Sequence, residues 1–173
     1  MASKGKGSNP TGADSKLRSP RSVLSAKSLA IVGASERGRW PAQIYNNLRK
    51  HGYDGRVFLV NPRQKEVFGE RCYPTLRDLP EQVEHAAVSG PAAGVPGVLE
   101  DAEAAGVLTA TIYSAAMGDG DDPESKKRGA WLKDFLSRSK LRISGPNCMG
   151  YFSYKEKLFA YPNADLCTVP AGP

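Results

Sequence analysis

The 173-residue chain has room for one ordinary domain with a buried core and little for a second, and no apolar run in it is long enough to cross a bilayer. Its formal charge of +6 is gathered at the start: residues 1 to 22 hold Lys4, Lys6, Lys16, Arg18 and Arg21 against Asp14 alone, which is +4 and leaves +2 for all that follows, too even a balance for a nucleic-acid surface. Cys72, Cys148 and Cys167 have neither paired metal spacing nor neighbouring histidines, so no metal site or disulfide framework is indicated and a reduced cytoplasmic protein is expected.

Residues 1 to 22 are rich in Ser and Gly and poor in apolar side chains, so they bury too little to offset their ordering entropy and are expected to form a disordered basic leader. Apolar runs of strand length then alternate with helical periodicity, the pattern of βαβ units around a buried parallel sheet. Strand one is predicted over Ser28 to Val32. Ile44, Tyr45 and Leu48 mark one face of a helix ending near Gly52, and strand two covers Arg56 to Val60.

Phe68 to Tyr73 reads as a short excursion, and Pro74 to Leu79 as a helical turn before strand three at His85 to Ser89. Val95, Val98, Leu99, Ala102 and Ala105 share a helical stripe that stops at Gly106, and Thr109 to Tyr113 forms strand four. Gly118 to Arg128 reads as a solvated stretch leading into a helix with Trp131, Leu132, Phe135 and Leu136 on its apolar face. Strand five is Arg142 to Ser144. Tyr151 to Pro173 carries two aromatic patches, and residues 169 to 173 look like the start of a linker to a missing domain.

Four strand ends carry loop chemistry: Val32-Gly33-Ala34-Ser35, Val60-Asn61-Pro62-Arg63, Tyr113-Ser114-Ala115-Ala116 and Gly145-Pro146-Asn147-Cys148-Met149-Gly150. In an open parallel sheet these ends share one edge, and ligands bind in the crevice there. Gly33-Ala34-Ser35-Glu36-Arg37-Gly38 lies between a strand and a helix, where backbone N–H groups hold a phosphate. Ser35 replaces the second glycine of the dinucleotide fingerprint, so a tight turn without a ligand fits as well. After strand two a NAD site needs an acid for the ribose hydroxyls, whereas this chain has Asn61-Pro62-Arg63 and no acid before Glu66. That favours a phosphorylated ribose, as in CoA or NADP; a solvated arginine after a proline turn is the bland alternative.

His51 follows a helix and His85 opens a strand, so both are expected to be surface or satisfied structural residues. Cys148 has no histidine in its motif to deprotonate it and is not expected to act as a nucleophile.

In their order, Val32-Gly33-Ala34-Ser35, Val60-Asn61-Pro62, Gly69-Glu70-Arg71-Cys72-Tyr73-Pro74, Gly90-Pro91-Ala92 with Val95-Pro96, Ile112-Tyr113-Ser114-Ala115 and Gly145-Pro146-Asn147-Cys148-Met149-Gly150 resemble the CoA-binding domain of NDP-forming acyl-CoA synthetases. The same domain forms the N-terminal half of the succinate-CoA ligase alpha subunit. The resemblance runs from about Val23 to Pro173 and places the CoA-binding domain over residues 23 to 168. It implies a three-layer α/β fold, a Rossmann-like parallel sheet with helices on both faces, that binds CoA without turnover in this chain alone.

On that resemblance Ser35, Glu36, Arg37 and Gly38 would meet the CoA phosphates, Arg63 its 3′-phosphate region, and Pro91 and Ala92 the adenosine or pantetheine wall, with Gly33, Ala34, Asn61 and Pro62 also among the CoA-binding residues. Ser114, Ala115, Asn147 and Cys148 would fall along the pantetheine arm, and Tyr113 and Met149 beside them complete the expected cofactor-binding set. The alpha subunit is expected to carry a threonine and a glutamate near Ser114 and Ala115; the small residues here are closer to the single-chain synthetases. In the full enzymes a histidine of a following domain carries phosphate from ATP to the acid, and neither His51 nor His85 matches it. ATP, Mg and the acid would be held by downstream ligase domains or a partner subunit, with no role for nucleic acid or membrane. The rival readings are an NAD(P)-sensing regulatory module and a CoA-binding domain fused to an acetyltransferase.

Overall fold

The computed structural model describes residues 21–163. They begin with α1 (Arg21–Leu24), β1 (Ser28–Val32), α2 (Arg39–Lys50) and β2 (Arg56–Val60). A hairpin follows, β3 (Glu66–Val67) with β4 (Glu70–Tyr73), then a 3-10 turn at Leu76–Asp78 and β5 (His85–Val88). The second half runs α3 (Val95–Ala104), β6 (Thr109–Ile112), α4 (Pro123–Arg138), β7 (Arg142–Ser144) and a separate hairpin of β8 (Tyr151–Ser153) and β9 (Leu158–Ala160).

The main sheet is ordered β3-β4-β2-β1-β5-β6-β7, and every pairing in it is parallel except β3 with β4. The order reverses at β1, whose neighbours are β2 and β5. Right-handed crossovers on the two sides of that reversal therefore go to opposite faces. On one face Val95, Leu99 and Ala102 of α3 and Leu132 and Phe135 of α4 pack against Ala30, Val32, Ala86, Val88, Ala110 and Ile112. On the other, Ile44 and Leu48 of α2 and Leu158 and Ala160 of β9 cover Leu29, Ile31, Leu59 and Ala87. Every residue of β1, β5 and β6 is buried, as expected of central strands in a parallel sheet covered on both faces.

Four sequence expectations need correction. The excursion at Phe68 to Tyr73 is a β-hairpin whose second strand joins the sheet beside β2, with Leu59 opposite Cys72 and Val60 opposite Tyr73. Its two-residue turn is Phe68-Gly69, with φ of 54° and 72°, the geometry of a type I′ turn without the usual Asn-Gly. Stacking on the Tyr45 ring, 4.2 Å between centroids, holds Phe68 in this unusual conformation. Second, α4 starts at Pro123, inside the stretch read as solvated. Asp122 caps it by accepting a hydrogen bond from the Ser125 N–H at 2.8 Å, and the Ser125 Oγ accepts from the N–H groups of Gly118 and Gly120.

Third, the aromatic stretch after Gly150 is partly ordered as the β8–β9 hairpin, which packs on α2. Fourth, the expected leader reaches into α1, so Arg21 and Ser22 belong to a helical turn next to β8. Residues 1 to 20, Cys167 and the linker expected at 169 to 173 lie outside the described residues.

Candidate functional site

The order reversal puts the carboxyl ends of β1 and β5 side by side, the place where open α/β sheets bind ligands. Contact there is at its limit. Gly33, at φ +82°, follows β1, and a Cβ built on it would lie 1.8 Å from the Ser89 carbonyl oxygen, while the Ser89 N–H bonds the Val32 carbonyl at 3.0 Å. The Gly33 and Ala34 N–H groups are both spent on the Val60 carbonyl. Helix α2 then begins at an N-cap, Gly38, that offers no side-chain hydrogen bond, and its first turn carries no acid. Its N-terminal N–H groups are left to a solvent or anion partner.

The loop after β2 is held by Asn61. Its side-chain amide donates to the Ala34 carbonyl at 2.8 Å and its Oδ1 accepts the Arg63 N–H at 2.9 Å. Asn61 therefore fixes the spacing of two loops. Arg63 is exposed, and among the described residues its guanidinium has no partner. Glu36 is turned away from the crevice: its carboxylate accepts the Phe68 N–H at 2.8 Å and thereby ties the β1–α2 loop to the β3–β4 turn. Ala34 is fully buried, so its side chain belongs to the core.

On the β6 side the chain is laced together. The Ser114 hydroxyl donates to the Gly90 carbonyl at 2.7 Å, and the N–H groups of Asn147 and Cys148 bond the carbonyls of Ser114 and Ile112. The Tyr113 side chain points under the loop and donates to the Ala160 carbonyl at 2.5 Å; burial pushes its phenol pKa up. Cys148 is half-buried, and its Sγ accepts the Gly150 N–H at 3.3 Å. Met149 is 45% exposed at the surface beyond it.

A cleft of about 280 Å3 opens between these loops, lined by Trp40, Ser89, Gly90, Tyr113, Ser114, Ala115 and Asn147. Four of the seventeen expected site residues, Tyr113, Ser114, Ala115 and Asn147, thus meet around one cavity. Gly33 to Gly38, Asn61 to Arg63, Pro91 and Ala92, and Cys148 and Met149 lie on loops of the same sheet edge but outside its lining. Trp40, Ser89 and Gly90 are additions that the sequence reading left out. The signal for Gly90 was the Gly-Pro pair after β5; for Trp40, an aromatic residue in the first turn after a glycine-rich loop.

Both histidines lie away from this edge. His85 is fully buried at the opening of β5, and His51, past the end of α2, stacks on Phe159 with ring centroids 3.8 Å apart. Among the described residues no cluster of three metal-ligating side chains occurs, and no helix is long and apolar enough to cross a membrane.

Comparison with known proteins gives a consistent set of matches. The family model of the CoA binding domain matches residues 27–153. An ADP-forming acetate–CoA ligase of Methanocaldococcus jannaschii is 34% identical over 125 residues, 72% of this chain and 17% of that protein. The alpha subunit of ADP-forming acetate–CoA ligase I of Pyrococcus furiosus is 32% identical over 143 residues, 80% of this chain and 31% of its own length. Among solved structures, acetyl-coenzyme A synthetase 1 of Ca. Korarchaeum cryptofilum, determined with phosphate and ADP, superposes with a TM-score of 0.69 at 31% identity, over 80% of this chain and 30% of that one. The chain spans less than a third of the length of each of these relatives.

Proposed function

The chain belongs to the CoA binding domain family, and from that premise we propose that its sheet-edge crevice binds coenzyme A as the CoA-binding unit of an ADP-forming acyl-CoA synthetase. The match to the CoA binding domain over residues 27–153 carries this reading, because it spans the loops after β1, β2, β5, β6 and β7 that form the crevice. Arg63, at the end of β2, would meet the 3′-phosphate; the uncapped N-terminus of α2 would face the pyrophosphate. The cleft between Trp40 and Ala115 would receive the pantetheine arm. An unpartnered cation where a NAD site requires an acid fits a phosphorylated ribose, and the carboxylate that does lie near, Glu36, is engaged elsewhere.

In the complete enzyme the reaction would be acid + CoA + ATP giving acyl-CoA, ADP and phosphate. The part of this chain is to bind and orient CoA. The chemistry of activating the acid, with ATP and Mg, belongs to further domains or a partner subunit. CoA-binding residues here do not form or break a bond.

Isothermal titration of the chain with CoA, dephospho-CoA, NAD and NADPH tests the assignment. CoA is expected to bind most tightly, and tighter binding of NAD or NADPH would overturn it. A charge-assisted bond contributes roughly 1.5 to 3 kcal/mol, so Arg63→Ala should weaken CoA about 10- to 150-fold. Dephospho-CoA should bind the parent weakly and lose little more on mutation. Equal losses for both ligands would remove Arg63 from the 3′-phosphate.

A further inference from the structure

Trp40 is the second residue of α2, half-buried, and its ring stands edge-on to Tyr113 at 6.0 Å between centroids and 88° between planes. Tyr113 is only 2% exposed and fixed by its bond to the Ala160 carbonyl, so the indole has a rigid prop behind it. The indole lines the cleft together with Ser89, Gly90, Ala115 and Asn147. Of the two serine hydroxyls in the lining, that of Ser114 is committed to the Gly90 carbonyl. What remains is an aromatic plate, small side chains, the Ser89 hydroxyl and one exposed amide at Asn147, with no charged group. Such a lining suits a flexible chain of methylenes and amides better than a phosphate or a sugar, which need cations or several donors.

The order β2-β1-β5-β6 separates this wall from the Arg63 loop by three strand positions, about 14 Å at the usual interstrand spacing. A nucleotide held at Arg63 and at the N-terminus of α2 would extend its distal arm, not its adenosine, along the indole. We propose that Trp40 is a specificity-determining residue that packs against this arm and makes the cleft prefer a nucleotide that carries it over the bare nucleotide. The inference rests on the CoA reading above. It assigns Trp40 a contact with ligand and no part in bond making.

The experiment compares parent, Trp40→Phe and Trp40→Ala by isothermal titration with CoA and with adenosine 3′,5′-bisphosphate, which has the phosphorylated ribose but no arm. Trp40→Ala is expected to weaken CoA about 10- to 70-fold, the scale of losing one aromatic contact face, and to leave the bisphosphate within about twofold of the parent. Trp40→Phe, which keeps a plate, should recover most of the CoA affinity. A role only in holding the fold would weaken both ligands by the same factor, and no role at all would leave CoA binding unchanged; either result overturns the proposal. If Trp40→Ala melts too low to titrate, Trp40→Leu is read by the same ratio of the two ligands. Failure of the CoA reading itself is distinct, because it shows in the parent: a parent that binds the bisphosphate as tightly as CoA has no arm site, and a parent that binds neither has no CoA site.

Discussion

His85 shows how one residue at the far end of the sheet from the cleft sets a property of the whole domain. Its Nδ1 lies 2.8 Å from the Thr109 Oγ1, whose own hydrogen is donated to the Glu84 carbonyl at 3.0 Å. Oγ1 must therefore accept from His85, which puts the ring proton on Nδ1 and leaves Nε2 bare, buried and unpartnered beside the edge-on Tyr151 ring. Burial alone pushes the His85 pKa down to about 3. The unfolded chain takes up the proton near pH 6.5 and the native one only near 3, so the unfolded state binds more protons in between. Stability is unaffected by this group above about pH 6.5 and falls as the pH drops toward 3, by roughly 1.4 kcal/mol per pH unit within that window. Melting of the parent and of His85→Gln between pH 7.5 and 4.5 checks it: the parent's Tm should fall more steeply with acid than the variant's. Parallel curves would show that other groups dominate. Residues such as Asn61, Glu36 and Ser114 make a related point, since polar side chains at the ends of the strands also fix neighbouring loops.

At the scale of elements, the switch point depends on the contact between the β1–α2 loop and the end of β5. With Gly33 at φ +82° and its missing Cβ 1.8 Å from the Ser89 carbonyl, Gly33→Ala must push two backbones apart. A cost on the order of 2 kcal/mol or more is expected, which lowers Tm by roughly 4 to 8 °C in a chain of this size. Differential scanning calorimetry checks this, and a variant that melts with the parent would mean that the two loops separate freely. The five parallel strands expected from the sequence stand within one residue of their observed ends; β1, β5 and β6 are buried throughout, whereas β2 and β7 are only partly covered and were marked by their β-branched and apolar residues between turn signals. β4 escaped notice because Glu70 and Arg71 interrupt any apolar run; its place in the sheet is secured from outside, by the Tyr45 hydroxyl and the Arg49 guanidinium on Glu70. The start of α4 was hidden for a different reason. Its first turn is polar and its apolar stripe begins later, so only the Asp122-Pro123 cap marked it. The crevice was legible because strand ends are read from strands, while Trp40 was not, since its place against Tyr113 comes from how α2 packs and not from any local pattern.

For the whole molecule, the consequence of a single crevice assembled from loops after β1, β2, β5, β6 and β7 is that a ligand spanning it ties together elements distant in sequence. Unfolding separates those loops and destroys the site, so ligand that binds only the native state adds to stability by mass action. At a free CoA concentration 100 times its Kd the gain is about 2.7 kcal/mol, which corresponds to a rise in Tm of roughly 5 to 11 °C for a domain of this length. The effect requires only binding, so it is expected of the chain alone with no ATP, magnesium or acid present. Adenosine 3′,5′-bisphosphate at the same concentration should raise Tm less, because it leaves the Trp40 cleft empty, and added salt should shrink both shifts by screening the phosphates. Scanning fluorimetry with CoA, the bisphosphate, NAD and NADPH at matched concentrations reads all four at once. A Tm raised by NAD or NADPH and indifferent to CoA would reassign the crevice to a dinucleotide and leave Arg63 without its 3′-phosphate partner.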